Sequence, residues 1–431
     1  MHRFIALTYC LLCSALLAFA QQKFLHLVDS QEVDTVIPLG HIQDVSISQG
    51  AKQVVLTLHD GATICKEGTD ISAMNIESLP PLQRDYHFLL ENDDVHRYRT
   101  TTTYDPDDYS YTLVSNYNRP FRDLDRPAPI VIRLEAPSPT GRERVVASTD
   151  PEFANVVTHP LDSDSVVIWN TIPGETLHYR ILESESAAAP ILQQGVVTTE
   201  GQVRMIYTPN IHNIRDLGGW PLEGGGRIRY GKIFRGSKFH DSKTTYLTRD
   251  DSLLLRALGI QCEFDLRGGD ESYGSGTKPT KSILGKDIDY VIHPVGSYAY
   301  RTALEDHANH IRYIWNLVKK HVLAGKTIFM HCSQGCDRAG TWSFLIEGLL
   351  GVSEDNLVKD YELSSFTQDP TFHRWRNEHT RHPSYDFRGM MDYIKQQQGE
   401  TLQEKFEYFL ISKCLIPQTE INQLKELLIE R

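Results

Sequence analysis

The chain has 431 residues, with 44 Lys and Arg against 56 Asp and Glu, for a formal net charge of −12. Such a length allows two or three domains with substantial cores. The acidic balance, with no basic run, speaks against a nucleic-acid partner. It leaves phosphorylated ligands open, because a few local cations and amides suffice to grip a phosphate.

In chain order, residues 1–20 read as a processing signal peptide. Arg3 is its basic start, Phe4 to Leu17 its apolar stretch, and Ala18-Phe19-Ala20 a small-x-small cleavage site before Gln21. The expectation is an exported protein of the periplasm, cell envelope or exterior. A lipid anchor would need a small residue ahead of Cys10 or Cys13, where Tyr9 and Leu12 stand. No later stretch is long and apolar enough to span a membrane as a helix. Cys65, Cys262, Cys332, Cys336 and Cys414 follow the leader, too scattered for a disulfide framework. No His/Cys/Asp cluster has ligand spacing, so neither metal nor cofactor is expected.

Residues 21–78 read as a small β module. Gln53 to Leu58 alternates, His59-Asp60-Gly61 supplies a turn, and Ala62 to Cys65 starts a return strand. Residues 79–125, rich in Tyr, Asp, Arg and Thr, read as a connector with some strand content. Over 126–206 the strand candidates Ile130–Leu134, Ser165–Trp169 and Leu177–Leu182 suggest a β-sandwich. There, Ile172-Pro173-Gly174-Glu175-Thr176-Leu177-His178-Tyr179 resembles the corner of fibronectin-type-III domains, where a tyrosine hydroxyl ties a turn to its strand. Trp169 and Tyr179 are then core and corner residues. These β domains carry no chemistry of their own, and a surface ligand is the function they could serve.

From residue 207 strands alternate with helices, the pattern of α/β layering. Helices are expected near 304–323, 341–350, 354–365, 386–410 and 418–430. Lys326 to Met330 reads as a buried parallel strand after Gly325, and Thr341 to Leu350 as a buried helix closed by Gly351. Between them runs His331-Cys332-Ser333-Gln334-Gly335-Cys336-Asp337-Arg338-Ala339-Gly340. A loop feeding a helix aims successive N–H groups and the helix dipole at one spot, which suits a phosphate and a thiolate. Arg338 adds a planar fork for two phosphate oxygens.

The His-Cys, five residues, Arg spacing resembles the cysteine-dependent phosphatases. Asp337-Arg338 narrows the resemblance to the bacterial tyrosine/dual-specificity branch, whose loop reads roughly His-Cys-x-x-Gly-Lys-Asp-Arg-Thr-Gly. Two further blocks stand in that family's order: Asn213-Ile214-Arg215-Asp216-Leu217-Gly218-Gly219 with Gly231 to Ser237, and Leu258-Gly259-Ile260 leading to Phe264-Asp265-Leu266-Arg267. The resemblance covers about 207–431. It implies a multidomain chain in which an α/β cysteine-phosphatase domain, a central sheet flanked by helices, follows all-β domains. The substrate would be a phosphorylated protein or small molecule: phosphotyrosine, phosphoserine or phosphothreonine, or a phosphorylated polyol such as an inositol phosphate.

The resemblance also implies roles. Cys332 is the nucleophile that forms a phosphocysteine. Arg338 stabilises the phosphoryl oxygens beside the loop residues Ser333, Gln334, Gly335, Cys336, Ala339 and Gly340. His331 shapes the loop by hydrogen bonding, and Asn213, Arg215, Asp216 and Arg267 support the site. Asp265 is the first candidate for the general acid, Asp337 the second, and Asp241 or Asp270 remain open. Cys336 stands where the family has lysine, which weakens a preference for multiply phosphorylated head groups. Ala339 stands where the family has Ser or Thr, a hydroxyl that helps the thiolate depart; Thr341 could replace it. Cys336 or Cys262 could pair with Cys332 as a protective disulfide. Without activity, the same loop would make a phosphate-binding module.

Overall fold

The computed structural model describes residues 124–431 except 136–140, 187–188, 242–244, 268–278, 293–298 and 368–386. It also describes 82–101 and strand segments between 22 and 111. Residues 1–20, read from the sequence as a leader, and Asp270 lie outside the described residues, and Asp241 is described in its backbone alone. The chain divides into two compact units: 1–88 with 131–167 and 175–198, and 89–130 with 168–174 and 199–431.

Among its described residues the first unit is all β. Gln22–Asp29 pairs antiparallel with both Asp34–Pro38 and Ile71–Leu79. Ile42–Ser48, Gln53–Leu58 and Thr63–Glu67 form a second three-stranded meander. A five-stranded sheet follows, in the order Val157–Pro160, Arg144–Ser148, Thr176–Leu182, Ile191–Glu200, Leu82–Leu89. Alternation of buried Val145, Leu177, Tyr179, Ile181 and Val197 with more exposed neighbours is what one covered sheet face requires.

Two local expectations change here. The Tyr179 hydroxyl does not tie down its own turn; it accepts from Nε2 of Gln193 on the adjacent strand, at 3.3 Å. The segment expected to be a connector holds Leu82–Leu89 and a helix, Asp93–Thr100. Asn92 caps that helix by accepting from Val95 N–H, and Val95 and Tyr98 are its buried residues.

The second unit is a mixed α/β domain. Its sheet runs in the order Arg215–Asp216, Ile233–Gly236, Thr327–His331, Ile260–Asp265, Asp289–Ile292. The last four strands are mutually parallel, and the short Arg215–Asp216 edge is antiparallel. Thr327–His331 is central and wholly buried, as its unbroken apolar run demands. One sheet face packs Ile233, Phe264, Ile328 and Met330 with the helices Ala308–Leu323 and Arg338–Leu350. The other packs Phe234, Phe239, Leu255 and Phe329. The segment expected as one helix over 386–410 is two helices, Phe387–Lys395 and Leu402–Tyr408. Gly399, at φ +141°, lies in the break, and Thr401 caps the second helix with Glu404.

Candidate active site

The loop 332–337 leaves the carboxyl end of the central parallel strand and enters the helix Arg338–Leu350. Crevices of open α/β sheets form at such strand ends, where neighbouring connections diverge. Side chains alternate along a strand, so His331 and Cys332 take opposite faces. His331 lies with Phe239 and Phe329, at ring separations of 5.2 and 6.0 Å, whereas Cys332 joins the helix-side core. The Cys332 thiol is therefore buried at the root of the loop.

The loop peptides are held by their carbonyls. The Ser333 carbonyl accepts from Lys238 N–H at 3.3 Å, that of Gln334 from Asn213 Nδ2 at 3.0 Å, and that of Gly335 from Arg235 Nη2 at 2.8 Å. In a trans peptide the N–H points opposite to the C=O. Pulling the Gln334 and Gly335 carbonyls toward Asn213 and Arg235 therefore turns the Gly335 and Cys336 N–H groups the other way. Neither amide has an acceptor among the described residues, and two convergent donors of this kind suit an oxyanion. Gly335 is at φ +75°, and a Cβ there would lie 2.4 Å from the Gly236 backbone, so glycine alone permits this turn.

Behind the loop lies a buried charge cluster. Asp360, from the helix Glu354–Glu362, accepts from Arg215 Nε at 2.7 Å and from Arg235 Nη1 at 2.5 Å. Arg215 also donates to Asn213 Oδ1 at 2.8 Å, so one carboxylate braces both side chains that hold the loop carbonyls, Arg235 directly and Asn213 through Arg215. Burial would raise the Asp360 carboxyl, but the two guanidinium groups hold it below its ordinary value. Glu347 beside them is pushed well up, by burial first and by Asp360 second. Two buried guanidinium groups thus stand behind the loop, and positive charge there favours an anion in front of it.

Asp265 sits at the end of the neighbouring strand, opposite His331 in register. It is fully buried and forked to Arg267, with Nε to Oδ1 at 2.9 Å and Nη2 to Oδ2 at 2.6 Å. Tyr290 donates to Oδ2 as well, at 2.9 Å. Burial would raise this carboxyl, yet the facing His331 and the Arg267 bonds hold it at about 2. A carboxyl so depressed and enclosed is fitted to hold Arg267 and a poor source of protons. On the same face, Glu263 Oε1 meets His331 Nε2 at 3.0 Å, and His331 Nδ1 lies 3.4 Å from the Cys332 carbonyl. His331 thus pins the start of the loop.

A folded value below the unfolded one makes Asp265 stabilising above about pH 4, with that contribution lost as pH falls toward 2. Relative to an Asp265→Asn protein, the wild type should lose roughly 2 kcal/mol between about pH 4 and 2. Urea unfolding of both proteins across that window checks it; parallel curves would contradict it.

Asp337 is half-buried at the N-terminus of the loop helix. Its carboxylate makes no capping bond; Tyr300 donates to Oδ1. Arg338, the first helical residue, has Nη1 3.4 Å from the Leu266 carbonyl. Ala339 is fully buried. Thr341 does not stand in for the missing hydroxyl, because its Oγ1 donates to the Asp337 carbonyl and accepts from Tyr300 N–H, each at 2.8 Å.

Cys336 turns to the rear, where Asn213 Nδ2 lies 3.3 Å from its sulfur. Cys332, Cys336 and Cys262 are free thiols. Burial pushes Cys336 well up and Cys262 to about 12, conditions that suppress thiolate chemistry at both. Asp216 stands apart from the loop: it pairs with Arg204 at 3.1 Å and accepts from the Gly218 and Gly231 amides. A cleft of about 660 Å³, lined by Leu222, Arg229, Gln403 and Lys425 among others, contains no residue of the loop.

A model of the tyrosine phosphatase family matches residues 206–430, more than half of the chain. The chain belongs to the tyrosine phosphatase family. Its matched region is the α/β domain built around the loop. A protein of Cupriavidus necator, provisionally named a tyrosine-protein phosphatase, is 27% identical over 172 residues. The match spans 35% of this chain and 59% of that relative, under two thirds of its length.

Of the residues picked out by motif, the tyrosine phosphatase domain gathers His331 to Gly340, Asn213, Arg215, Asp265 and Arg267 around one loop. Asp360, Glu347, Glu263 and Tyr300 join them without any motif to announce them. Arg235 was visible in the second block, but its grip on the Gly335 carbonyl was not.

Proposed function

We propose that the 206–430 domain hydrolyses phosphomonoesters through a phosphocysteine at Cys332. What carries this reading is the pair of Gly335 and Cys336 amides turned away from the Asn213 and Arg235 anchors, in a loop that begins at a buried thiol. Cys332 Sγ attacks phosphorus as the phosphorus–oxygen bond to the leaving group breaks. The loop amides and Arg338 hold the three remaining oxygens and stabilise their charge. Asp337 gives its proton to the leaving oxygen; Asp265 is spent on Arg267. Water then attacks the phosphocysteine and returns a proton to Asp337. Inorganic phosphate departs, and Cys332 is restored.

The rearward Cys336 places no cation beside the bound phosphate, which favours singly phosphorylated esters, phosphotyrosine first, over multiply phosphorylated inositols. The leader implied by residues 1–20 places this activity outside the cytoplasm. Loss of the hydroxyl at Ala339 should make the second step slow. With reductant and EDTA, the reduced protein should release p-nitrophenol from p-nitrophenyl phosphate in a burst and then a slow steady state. Ala339→Ser should raise the steady rate about 10–100-fold, the scale of one hydrogen bond to a charged group. Folded, reduced protein that binds phosphate yet releases no p-nitrophenol would sink the reading and leave a phosphate-binding module, which Ala339 alone favours.

A further inference from the structure

Tyr300 grips Asp337 at both ends. Its hydroxyl donates to the Asp337 carboxylate, while its N–H donates to Thr341 Oγ1, which itself donates to the Asp337 carbonyl. The tyrosine is 5% exposed and opens the helix Tyr300–Asp306 at φ +60°, a left-handed backbone that is costly for a bulky residue. Its ring meets Tyr361 edge-on at 6.4 Å, and the Tyr361 hydroxyl lies 3.5 Å from its own. An aspartate at the start of a helix ordinarily turns its carboxylate onto the first free amides. Asp337 makes no such bond, so something other than capping decides where its oxygens point.

We propose that Tyr300 is a positioning residue that holds the Asp337 carboxyl toward the leaving group of the substrate. The assignment rests on Asp337 being the general acid of the proposed reaction. The Tyr300 hydroxyl holds Oδ1, and the Asp337 carboxyl carries the transferable proton. As the phosphorus–oxygen bond breaks, that proton passes to the leaving oxygen, and the electron pair stays on Asp337. The Tyr300 hydroxyl stabilises the carboxylate so formed. In the second step the same carboxylate takes a proton from the attacking water. Tyr300 touches neither substrate nor phosphorus and acts through Asp337 alone.

The test compares leaving groups in the full chain. p-Nitrophenolate departs without much help, whereas phenoxide and the serine alkoxide need a proton. Single-turnover release under reducing conditions isolates the first step. Wild type, Tyr300→Phe and Asp337→Asn are each given p-nitrophenyl phosphate, phenyl phosphate and phosphoserine. Removing only a hydroxyl leaves the ring packing and the Thr341 bond in place. Tyr300→Phe should slow phenyl phosphate and phosphoserine about 10–100-fold while p-nitrophenyl phosphate changes little. Asp337→Asn should show the same pattern more steeply, by about 10²–10⁴-fold. If Asp337→Asn discriminates and Tyr300→Phe slows all three alike or none, Tyr300 is merely structural and the proposal falls while the acid stands. If Asp337→Asn does not discriminate, the acid assignment fails first and takes the role of Tyr300 with it.

Discussion

Replacing Cys332 by serine is expected to lower kcat on p-nitrophenyl phosphate by on the order of 10⁴-fold or more, while leaving phosphate binding nearly intact. The expectation follows from a division of labour around the loop. In the proposed reaction, binding is carried by the Gly335 and Cys336 amides and by Arg338, none of which depends on the sulfur. The carbonyls that orient those amides are held by Asn213 and Arg235, and these in turn by Arg215 and Asp360. Cys332 contributes the electron pair alone. A serine hydroxyl at that place keeps its proton, because the adjacent His331 lies on the opposite face of the strand, against Glu263. The substitution removes little volume from the core, so the fold should persist. Steady-state kinetics together with the dissociation constant for inorganic phosphate separate the two effects. A variant that loses binding as steeply as turnover would mean that the loop has collapsed.

Arg338→Lys is the second large effect. Charge is conserved, so the substitution isolates geometry. A guanidinium offers paired donors in a rigid plane, and lysine offers one mobile ammonium. Arg338 leads the loop helix, with Nη1 beside the Leu266 carbonyl, so one edge of its fork is fixed to the sheet. The equatorial oxygens of the phosphoryl group gain charge and flatten in the transition state, when a planar fork fits them best. Turnover should therefore fall by about 10²–10³-fold, the cost of losing one preorganised donor, with KM moving far less. A kcat within about threefold of wild type would show that charge alone suffices at this position.

Much of this arrangement was legible from the chain. The strand Thr327–His331, the loop and the helix Arg338–Leu350 are marked by an apolar run, a glycine before and a glycine after. Asn213, Arg215 and Arg267 sit in short blocks whose residue types suit loop anchors and ion pairs. Asp360 was hidden because nothing in Lys359-Asp360-Tyr361 distinguishes a helix acid facing solvent from one buried between two arginines. Tyr300 was hidden because its reach to Asp337 depends on a left-handed backbone that tyrosine rarely adopts. The first choice of acid went to Asp265 because a strand end beside the loop strand is a fitting address. Sequence cannot tell that the carboxylate turns to Arg267 instead. The helix Asp93–Thr100 carries only Val95 and Tyr98 as buried residues, too few to raise a helical period above a polar background. The break between Phe387–Lys395 and Leu402–Tyr408 was signalled by Gly399 and Thr401, and continuous amphipathic spacing outweighed that signal.

The central claim is that substrate phosphorus becomes bonded to the sulfur of Cys332. The most direct measurement is rapid acid quench of the reduced protein during turnover of p-nitrophenyl phosphate, followed by peptide mass spectrometry. The slow second step expected with Ala339 favours accumulation of the intermediate. The account predicts one phosphoryl group on the peptide bearing Cys332, formed as fast as the burst of p-nitrophenol and absent from Cys332→Ser. Turnover with no phosphorylated peptide at any time, or with the phosphoryl group on another side chain, would contradict it.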